Sequence, residues 1–174
     1  MLDLQQYEQP MAHQRDIHDH VESCAQVALK IDDGDGIAAA LNFRPSMLSK
    51  VDYCLLDHEQ VELIELTDLS TTVERWQSHL SEWSKLSRKE KREIRRKIWG
   101  EASHELRLKW QGSIAIVERL WRVQGFTADA NYRMRLVCKN NVDARMLDEI
   151  ETQLKVFLSG SHIQLTVLRS DKCV

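Results

Sequence analysis

Apolar and polar residues alternate in two short stretches near the middle of the chain. Lys50–Leu56 and Val61–Thr67 have the period-two pattern that is typical of strands, and the residues at 57–60 between them are turn formers. A four-residue turn joining two antiparallel strands would place Leu56 opposite Val61. The pattern therefore predicts a β-hairpin.

The register of this hairpin predicts a polar corner on one of its faces. It sets Asp52 opposite Glu65 and Lys50 opposite Thr67. Directly opposed side chains share a face and lie about 5 Å apart, and two facing carboxylates destabilise a sheet unless something neutralises them. A divalent cation bound by oxygen ligands would do so, and so would the neighbouring Lys50. Both interpretations stay open.

Helical spacing dominates on both sides of the hairpin. Residues 11–30 are predicted to form an amphipathic helix, and residues 37–42 a short helical turn. After Thr67 the apolar residues recur every three or four positions for more than fifty residues. Ser87 and Glu90 form a capping box that starts a long helix, and Gly125 is expected to end it. The apolar stripe that comes before this helix consists of Val73, Trp76, Leu80 and Trp83.

The last part of the chain returns to mixed structure. Residues 132–138 alternate as a strand, a helix follows from Asp143, and residues 162–168 alternate again. The order of elements predicts an α/β fold, an α+β sandwich with a central mixed sheet of about four to five strands flanked by helices. Residues 1–11 are expected to be a flexible N-terminus and residues 12–174 a single domain, with a helical insertion at about 72–124.

Composition narrows the class of protein. The chain has 174 residues, a net charge of −3, and no apolar stretch of about 18 residues that could span a membrane. Its N-terminus lacks the basic-then-apolar layout of a secretory signal. Four cysteines are scattered without a C-x-x-C pair, which favours reduced thiols and a cytoplasmic location.

Charge is distributed unevenly along the chain. Between Asp52 and Glu74 there are seven acidic residues and no Lys or Arg, whereas Lys85–Trp99 contains eight basic residues and two acidic ones. Such a pair of regions suits a site that handles phosphodiesters, and it also suits two ordinary solvated surfaces. Trp99 is either a core residue or a stacking platform for a base. The residues predicted to contact nucleic acid are Arg88, Lys89, Arg92, Arg95 and Arg96.

The predicted N-terminal helix, followed by a hairpin with Asp on its first strand and Glu on its second, resembles the PD-(D/E)xK nuclease superfamily. The matching segments are Ser49–Tyr53 and Leu63–Thr67, and the resemblance covers residues 12–70 and 130–168. It implies that Asp52 and Glu65 hold a divalent ion, Mg²⁺ or Mn²⁺. It also implies a lysine, two residues after the glutamate, that helps to activate or position the attacking water. Here Thr67 occupies that place, so we expect Lys50, directly opposite, to supply the charge.

Taken together, the residues predict a metal-dependent nuclease-like domain that acts on or binds nucleic acid, with DNA favoured over RNA. Asp52, Glu65, Lys50 and Thr67 are the predicted catalytic group, which makes the protein a candidate Mg²⁺- or Mn²⁺-dependent endonuclease. The alternative is a non-catalytic protein-binding module, such as an adaptor, inhibitor or immunity-type protein, that uses the same fold to dock a protein partner.

Overall fold

A computed structural model describes residues 1–13, 21–32, 34–57, 59–160 and 163–173. Within these ranges it contains one six-stranded mixed sheet with the strands in chain order. The strands are β1 (Glu8–Ala12), β2 (Ser23–Lys30), β3 (Tyr53–Asp57), β4 (Gln60–Thr67), β5 (Asn131–Cys138) and β6 (Leu165–Arg169). The α-helices are α1 (Ile37–Ala40), α2 (Ser70–Leu80), α3 (Arg88–Gln124) and α4 (Ala144–Leu158), and short 3₁₀ helices lie at Leu4–Tyr7, Trp83–Lys85 and Ser170–Lys172.

The sheet changes character at β4. Strands β1 to β4 are antiparallel to their neighbours, whereas β4, β5 and β6 are parallel to one another. Parallel neighbours need crossover connections, and α2 with α3 supplies the first and α4 the second. The α/β class is therefore confirmed, with α3 as the long helix after the hairpin. The carboxyl ends of the three parallel strands meet at one edge, where α/β proteins commonly bind ligands.

The predicted hairpin is confirmed in its register. Leu56 pairs with Val61, and Asp57 also pairs with Gln60, so the turn is two residues shorter than the sequence suggested. Because both turns have an even length, no residue changes face. Asp52 lies one residue before β3 and, in the continued register, opposite Glu65.

The predicted helix at residues 11–30, which was part of the family resemblance, is wrong, because this region contains the last two residues of β1 and all of β2; its residues 14–20 lie outside the described ranges. The apolar stripe that suggested the helix was Ile17, Val21, Cys24 and Ala28; Cys24 and Ala28 are buried, whereas Val21 is 40 % exposed and Ile17 lies outside the described ranges. A spacing of four is also a multiple of two, however, so it fits one face of a strand equally well. The N-terminus expected to be flexible likewise contains a 3₁₀ turn and most of β1, which explains why the sheet has more strands than predicted.

The β1–β2 hairpin lies across one face of the sheet. β2 pairs with β3 at its last two residues, Leu29 and Lys30. Farther back along β2, the side-chain oxygen of Gln26 accepts a hydrogen bond from Arg135 of β5 at 2.5 Å. β2 therefore crosses above β4 and β5, and helices cover the opposite face. The core beneath the hairpin contains Met11, Cys24, Ala28, Tyr53, Ile64, Val137 and Cys173.

The long helix begins and ends as predicted. Ser87 and Glu90 form the reciprocal capping box, and Gly125 caps the C-terminus with a left-handed φ of 79°. The helix continues without interruption through Gly112, where the chain packs so closely that a Cβ would lie 1.9 Å from the Ser49 carbonyl oxygen. Asp143 caps α4, as its position indicated. Among the described helices, none combines the length and apolar character needed to cross a bilayer.

Candidate functional site

A charged cavity of about 470 Å³ opens at the carboxyl ends of β4 and β5. It lies where the antiparallel part of the sheet meets the parallel part, beside the middle of α3. Its wall contains more carboxylates than cationic groups, which suits a bound cation better than a bound anion. The charged side chains that line it are Asp52, Glu65, Asp68, Glu105, Lys109 and Lys139.

Glu65 is the most unusual of these side chains. It is only 5 % exposed, although it carries a carboxyl group. Its Oε1 accepts a hydrogen bond from the Lys109 ammonium at 2.5 Å, while its buried Oε2 has no partner among the described residues. Burial, reinforced by the charge of Asp52 and opposed by Lys109, raises the pKa of Glu65 to about 8. A buried oxygen without a partner is costly, and a bound ligand would satisfy it.

Asp52 lies beside Glu65, as the hairpin register predicted. Its Oδ2 accepts a hydrogen bond from the backbone N–H of Leu66 at 2.8 Å, which fixes the carboxylate against the end of β4. Its charge contributes to the raised pKa of Glu65, and both side chains line the cavity. The predicted pairing of these two carboxylates on one face is therefore confirmed.

The lysine at this corner differs from the one predicted. The ammonium of Lys50 lies 2.8 Å from Asp32 and donates to the carbonyl oxygen of Pro45 at 3.1 Å. The cation at Glu65 is instead Lys109, from the crossover helix α3, and it also lies 3.3 Å from Glu105. Although burial alone would lower the pKa of Lys109, the surrounding carboxylates raise it, so the amine stays protonated.

Thr67, the residue at the usual lysine position, also lines the cavity, together with His13, Asp68 and Lys139. Lys139 lies 3.5 Å from Asp68. His13 is 4 % exposed, contacts Ser170 at 2.9 Å, and has a pKa lowered by burial. Asp68 and Lys139 balance each other, so the other three carboxyl groups of the cavity, on Asp52, Glu65 and Glu105, have only Lys109 as a cationic neighbour in the lining.

The predicted nucleic-acid contacts separate into two groups. Arg88, Lys89, Arg92 and Arg96 are exposed at the N-terminal end of α3. Arg95 is exposed as well, but its guanidinium lies over aromatic rings, 5.9 Å from the centre of Trp76 and 5.4 Å from that of Trp83. These cation–π contacts place Arg95 on the side of the helix that packs against α2.

Trp99 is completely buried and contacts Trp76 edge to face, with ring centres 6.3 Å apart. The interpretation of Trp99 as a stacking platform for a base is therefore wrong, since no part of its ring faces solvent. Sequence could not decide this, because a tryptophan next to a basic run has the same local pattern in either role.

Lys109 and Glu105 line the cavity but were not predicted as site residues from the sequence. They form an i, i+4 pair on α3, and such pairs are common on exposed helices, so nothing in their spacing distinguishes them. Only the crossover packing of α3 against β4 brings Lys109 to Glu65. The contact joins residues 44 positions apart, beyond the reach of any local pattern.

The residues present fit a divalent cation only in part. In the described ranges, no group of three or more His, Cys, Asp or Glu side chains is arranged to hold a metal ion. Mg²⁺, however, is commonly bound through one or two carboxylates, with waters and substrate phosphate oxygens completing its coordination. Asp52 and Glu65, with its unpartnered oxygen, would supply these two carboxylates.

Comparison of the chain with protein-family models, with curated proteins and with solved structures finds no match. The chemistry of the site therefore has to be argued from the geometry of its own residues. Three features count most: the paired carboxylates, the unpartnered buried oxygen and the lysine supplied by α3.

Proposed function

We propose that this protein is a metal-dependent phosphodiester hydrolase that acts on nucleic acid, with its active site at Asp52, Glu65 and Lys109. The observation that carries the proposal is the buried carboxyl of Glu65, which has one oxygen paired with Lys109 and the other without a partner. A group with a strongly perturbed pKa, beside a second carboxylate in a cavity, is typical of an active site.

In this proposal Asp52 and Glu65 hold Mg²⁺ or Mn²⁺ together with phosphate oxygens of the substrate. The ion, when bound, would supply Lewis-acid stabilisation of the charge that develops on the phosphate. Because the pKa of Glu65 is about 8, cation binding near neutral pH would displace a proton from this carboxyl. Cation affinity should then increase as the pH rises towards 8.

Lys109 takes the role that the family resemblance gives to a lysine after the glutamate. Its ammonium is next to Glu65, and the raised pKa keeps it charged. From this position it would orient the attacking water or stabilise negative charge on the phosphate. Thr67 and Lys50 are not proposed for this role, because Thr67 carries no charge and Lys50 is bound to Asp32 and to the Pro45 carbonyl oxygen. A nucleic-acid substrate agrees with the cytoplasmic location expected from the cysteines.

The test compares cleavage of DNA and RNA by the wild type and by near-isosteric variants, with Mg²⁺ and with Mn²⁺. Asp52→Asn and Glu65→Gln should each lower the cleavage rate at least about 100-fold, the usual cost of losing a metal ligand or its support. Glu59→Gln is the matched control, because Glu59 is exposed at the turn of the same hairpin. It should cleave like the wild type.

Calorimetric titration with Mn²⁺, in the presence of an oligonucleotide, provides the second readout. Heat of binding in the wild type that disappears in Glu65→Gln supports the proposal. Absence of cleavage on every nucleic acid, together with absence of Mn²⁺ binding, would reject it. Lys109 would then serve only to neutralise the buried carboxyl of Glu65, and the chain would be better described as a binding module.

A further inference from the structure

The direction of α3 relates the basic segment to the cavity. Lys109 contacts Glu65 near the end of β4, and Glu118 accepts a hydrogen bond from the Tyr132 hydroxyl, near the start of β5, at 2.7 Å. The helix therefore runs antiparallel to β4 and β5. Its residues before Lys109 extend past the carboxyl ends of the parallel strands, at the edge where the cavity opens.

The length of this extension follows from helix geometry. At about 1.5 Å per residue, Arg96 lies about 20 Å from Lys109 along the helix axis, and Arg88 lies about 32 Å away. β4 itself continues only two residues beyond Glu65. The exposed basic residues are thus held at a fixed distance from the cavity by one continuous helix.

Three of the exposed basic residues lie on the side of α3 that is buried farther along. At about 100° per residue, Arg88, Arg92 and Arg96 lie within about 50° of the centre of the buried stripe. That stripe consists of Trp99, Ser103, Leu106 and Trp110. After residue 98 this side of the helix therefore packs into the core. Nearer the N-terminus the same side is exposed and cationic.

This face fits the backbone of a duplex better than unpaired bases. In the described part of the chain, none of Arg88, Lys89, Arg92 and Arg96 makes an ion pair, so all four charges are available to phosphates. Single-strand binding sites add aromatic rings on which bases stack. The nearby ring of Trp83 is covered by Lys91 and Arg95, whose charged groups lie 5.7 and 5.4 Å from the ring centre. These cations occupy the ring face on which a base would stack.

We infer that the basic N-terminal segment of α3 grips the backbone of a nucleic-acid duplex whose scissile phosphate lies at the Glu65 cavity. With phosphates spaced about 3.4 Å along each strand, a separation of about 20–32 Å corresponds to about 6–9 base pairs. The helix therefore sets a minimum length of duplex on one side of the cleavage point. This inference rests on the proposed function, because the cavity defines the other end of the measured length.

The experiment measures affinity for blunt duplexes of about 4 to about 24 base pairs, with Ca²⁺ replacing Mg²⁺ so that binding is read without cleavage. The wild-type affinity should rise steeply between about 6 and about 12 base pairs, where a duplex first reaches both regions. In the variant R88Q/R92Q/R96Q this rise should disappear. The salt dependence should also become shallower by about 2.7 in log–log slope, from about 0.9 per lost phosphate contact.

The matched control is R122Q/R133Q/R145Q, which removes the same net charge from exposed positions outside the segment. It should keep the length dependence and most of the salt slope. Equal length dependence in both triple variants, or no binding of duplex at any length, would overturn the inference. Cleavage assays separate the two proposals: cleavage that does not depend on length rejects the duplex grip alone, whereas length-dependent binding without cleavage rejects the catalytic proposal alone.

Discussion

Two buried lysine–carboxylate pairs lie on the same side of this molecule, and they differ in how completely they are satisfied. Lys50 is bound by Asp32 and by the Pro45 carbonyl oxygen, and the Asp32 side chain is 38 % exposed, so water can reach it. Lys109 is bound by Glu65, which is 5 % exposed and has one oxygen without a partner. The first pair is a complete structural contact, while the second needs a further group to complete it.

The surroundings of the two pairs reinforce this difference. The Lys50 region is fixed to α3 from both sides: the Ser49 carbonyl lies directly against Gly112, and the backbone N–H of Val51 donates to Ser113 at 2.9 Å. Both lysines line a small cavity of about 240 Å³, but Lys109 and Glu65 also line the larger one of about 470 Å³, into which the carboxylates face. The two ion pairs are thus similar in charge and differ in their surroundings, and the unsatisfied oxygen of Glu65 distinguishes them better than the charges do.

The largest effect is expected at the contact that fixes the Lys50 region. In Gly112→Ala the new Cβ would lie 1.9 Å from the Ser49 carbonyl oxygen, and the backbone of the loop and of α3 would have to separate. We expect the free energy of unfolding to fall by more than about 3 kcal/mol, in the upper range of overpacking costs. Urea unfolding followed by circular dichroism measures it.

Gly100→Ala is the matched control for this substitution, because Gly100 lies in the same helix and a Cβ there meets nothing closer than 3.7 Å. Alanine has the higher helix propensity, so this variant should be more stable than the wild type by up to about 1 kcal/mol. If both variants lose stability equally, the close approach of Ser49 to α3 does not exist.

The second expectation sets the two lysines against each other. Lys50→Met removes the cation from a contact with two acceptors, and we expect a loss of about 2 kcal/mol in unfolding free energy with the activity per folded molecule unchanged. Lys109→Met should lower cleavage about 100-fold yet change stability by less than about 1 kcal/mol, since Glu65, with a pKa of about 8, already holds a proton near neutral pH and does not need the cation to stay buried.

Thermal unfolding and cleavage, measured on the same preparations, test this contrast. A Lys50→Met variant that folds normally but no longer cleaves would return the catalytic role to the lysine that the sequence first suggested. A Lys109→Met variant that is unstable and fully active would make the Glu65 pair structural, and the contrast between the two regions would be lost.

Sequence predicted those parts of the site that depend on local geometry. The alternation of residues 50–67 was sufficient to place Asp52 beside Glu65, because strand register follows from the apolar pattern and an even turn. The caps at Ser87 and Gly125 were also predicted correctly, since capping is a local hydrogen-bonding preference.

The rest depends on contacts between distant segments. The β1–β2 hairpin was mistaken for a helix because Cys24 and Ala28 fit both periods, and the pairing with β3 that decides the matter is remote in sequence. Lys109 was missed for a related reason: it reaches Glu65 only after α3 has crossed back over the sheet. Local sequence patterns do not show where a crossover helix packs against the sheet.

The last prediction concerns the pH dependence that Glu65 gives to stability. Its pKa is raised from the ordinary 4.5 to about 8 by burial, so between about pH 5 and pH 8 the folded protein holds a proton that the unfolded chain releases. Stability must then fall as the pH rises, by at most about 1.4 kcal/mol per pH unit from this carboxyl, and level off above its folded pKa.

Glu65→Gln should remove this part of the slope. The difference between wild type and variant in urea unfolding isolates it, since His13, whose lowered pKa acts in the opposite direction, is common to both. Mn²⁺ should reduce the wild-type slope, because a bound cation favours the ionised carboxylate, and should leave the variant unchanged. Identical slopes in the two proteins would show that Glu65 is ionised in the folded state and already as well satisfied as Lys50.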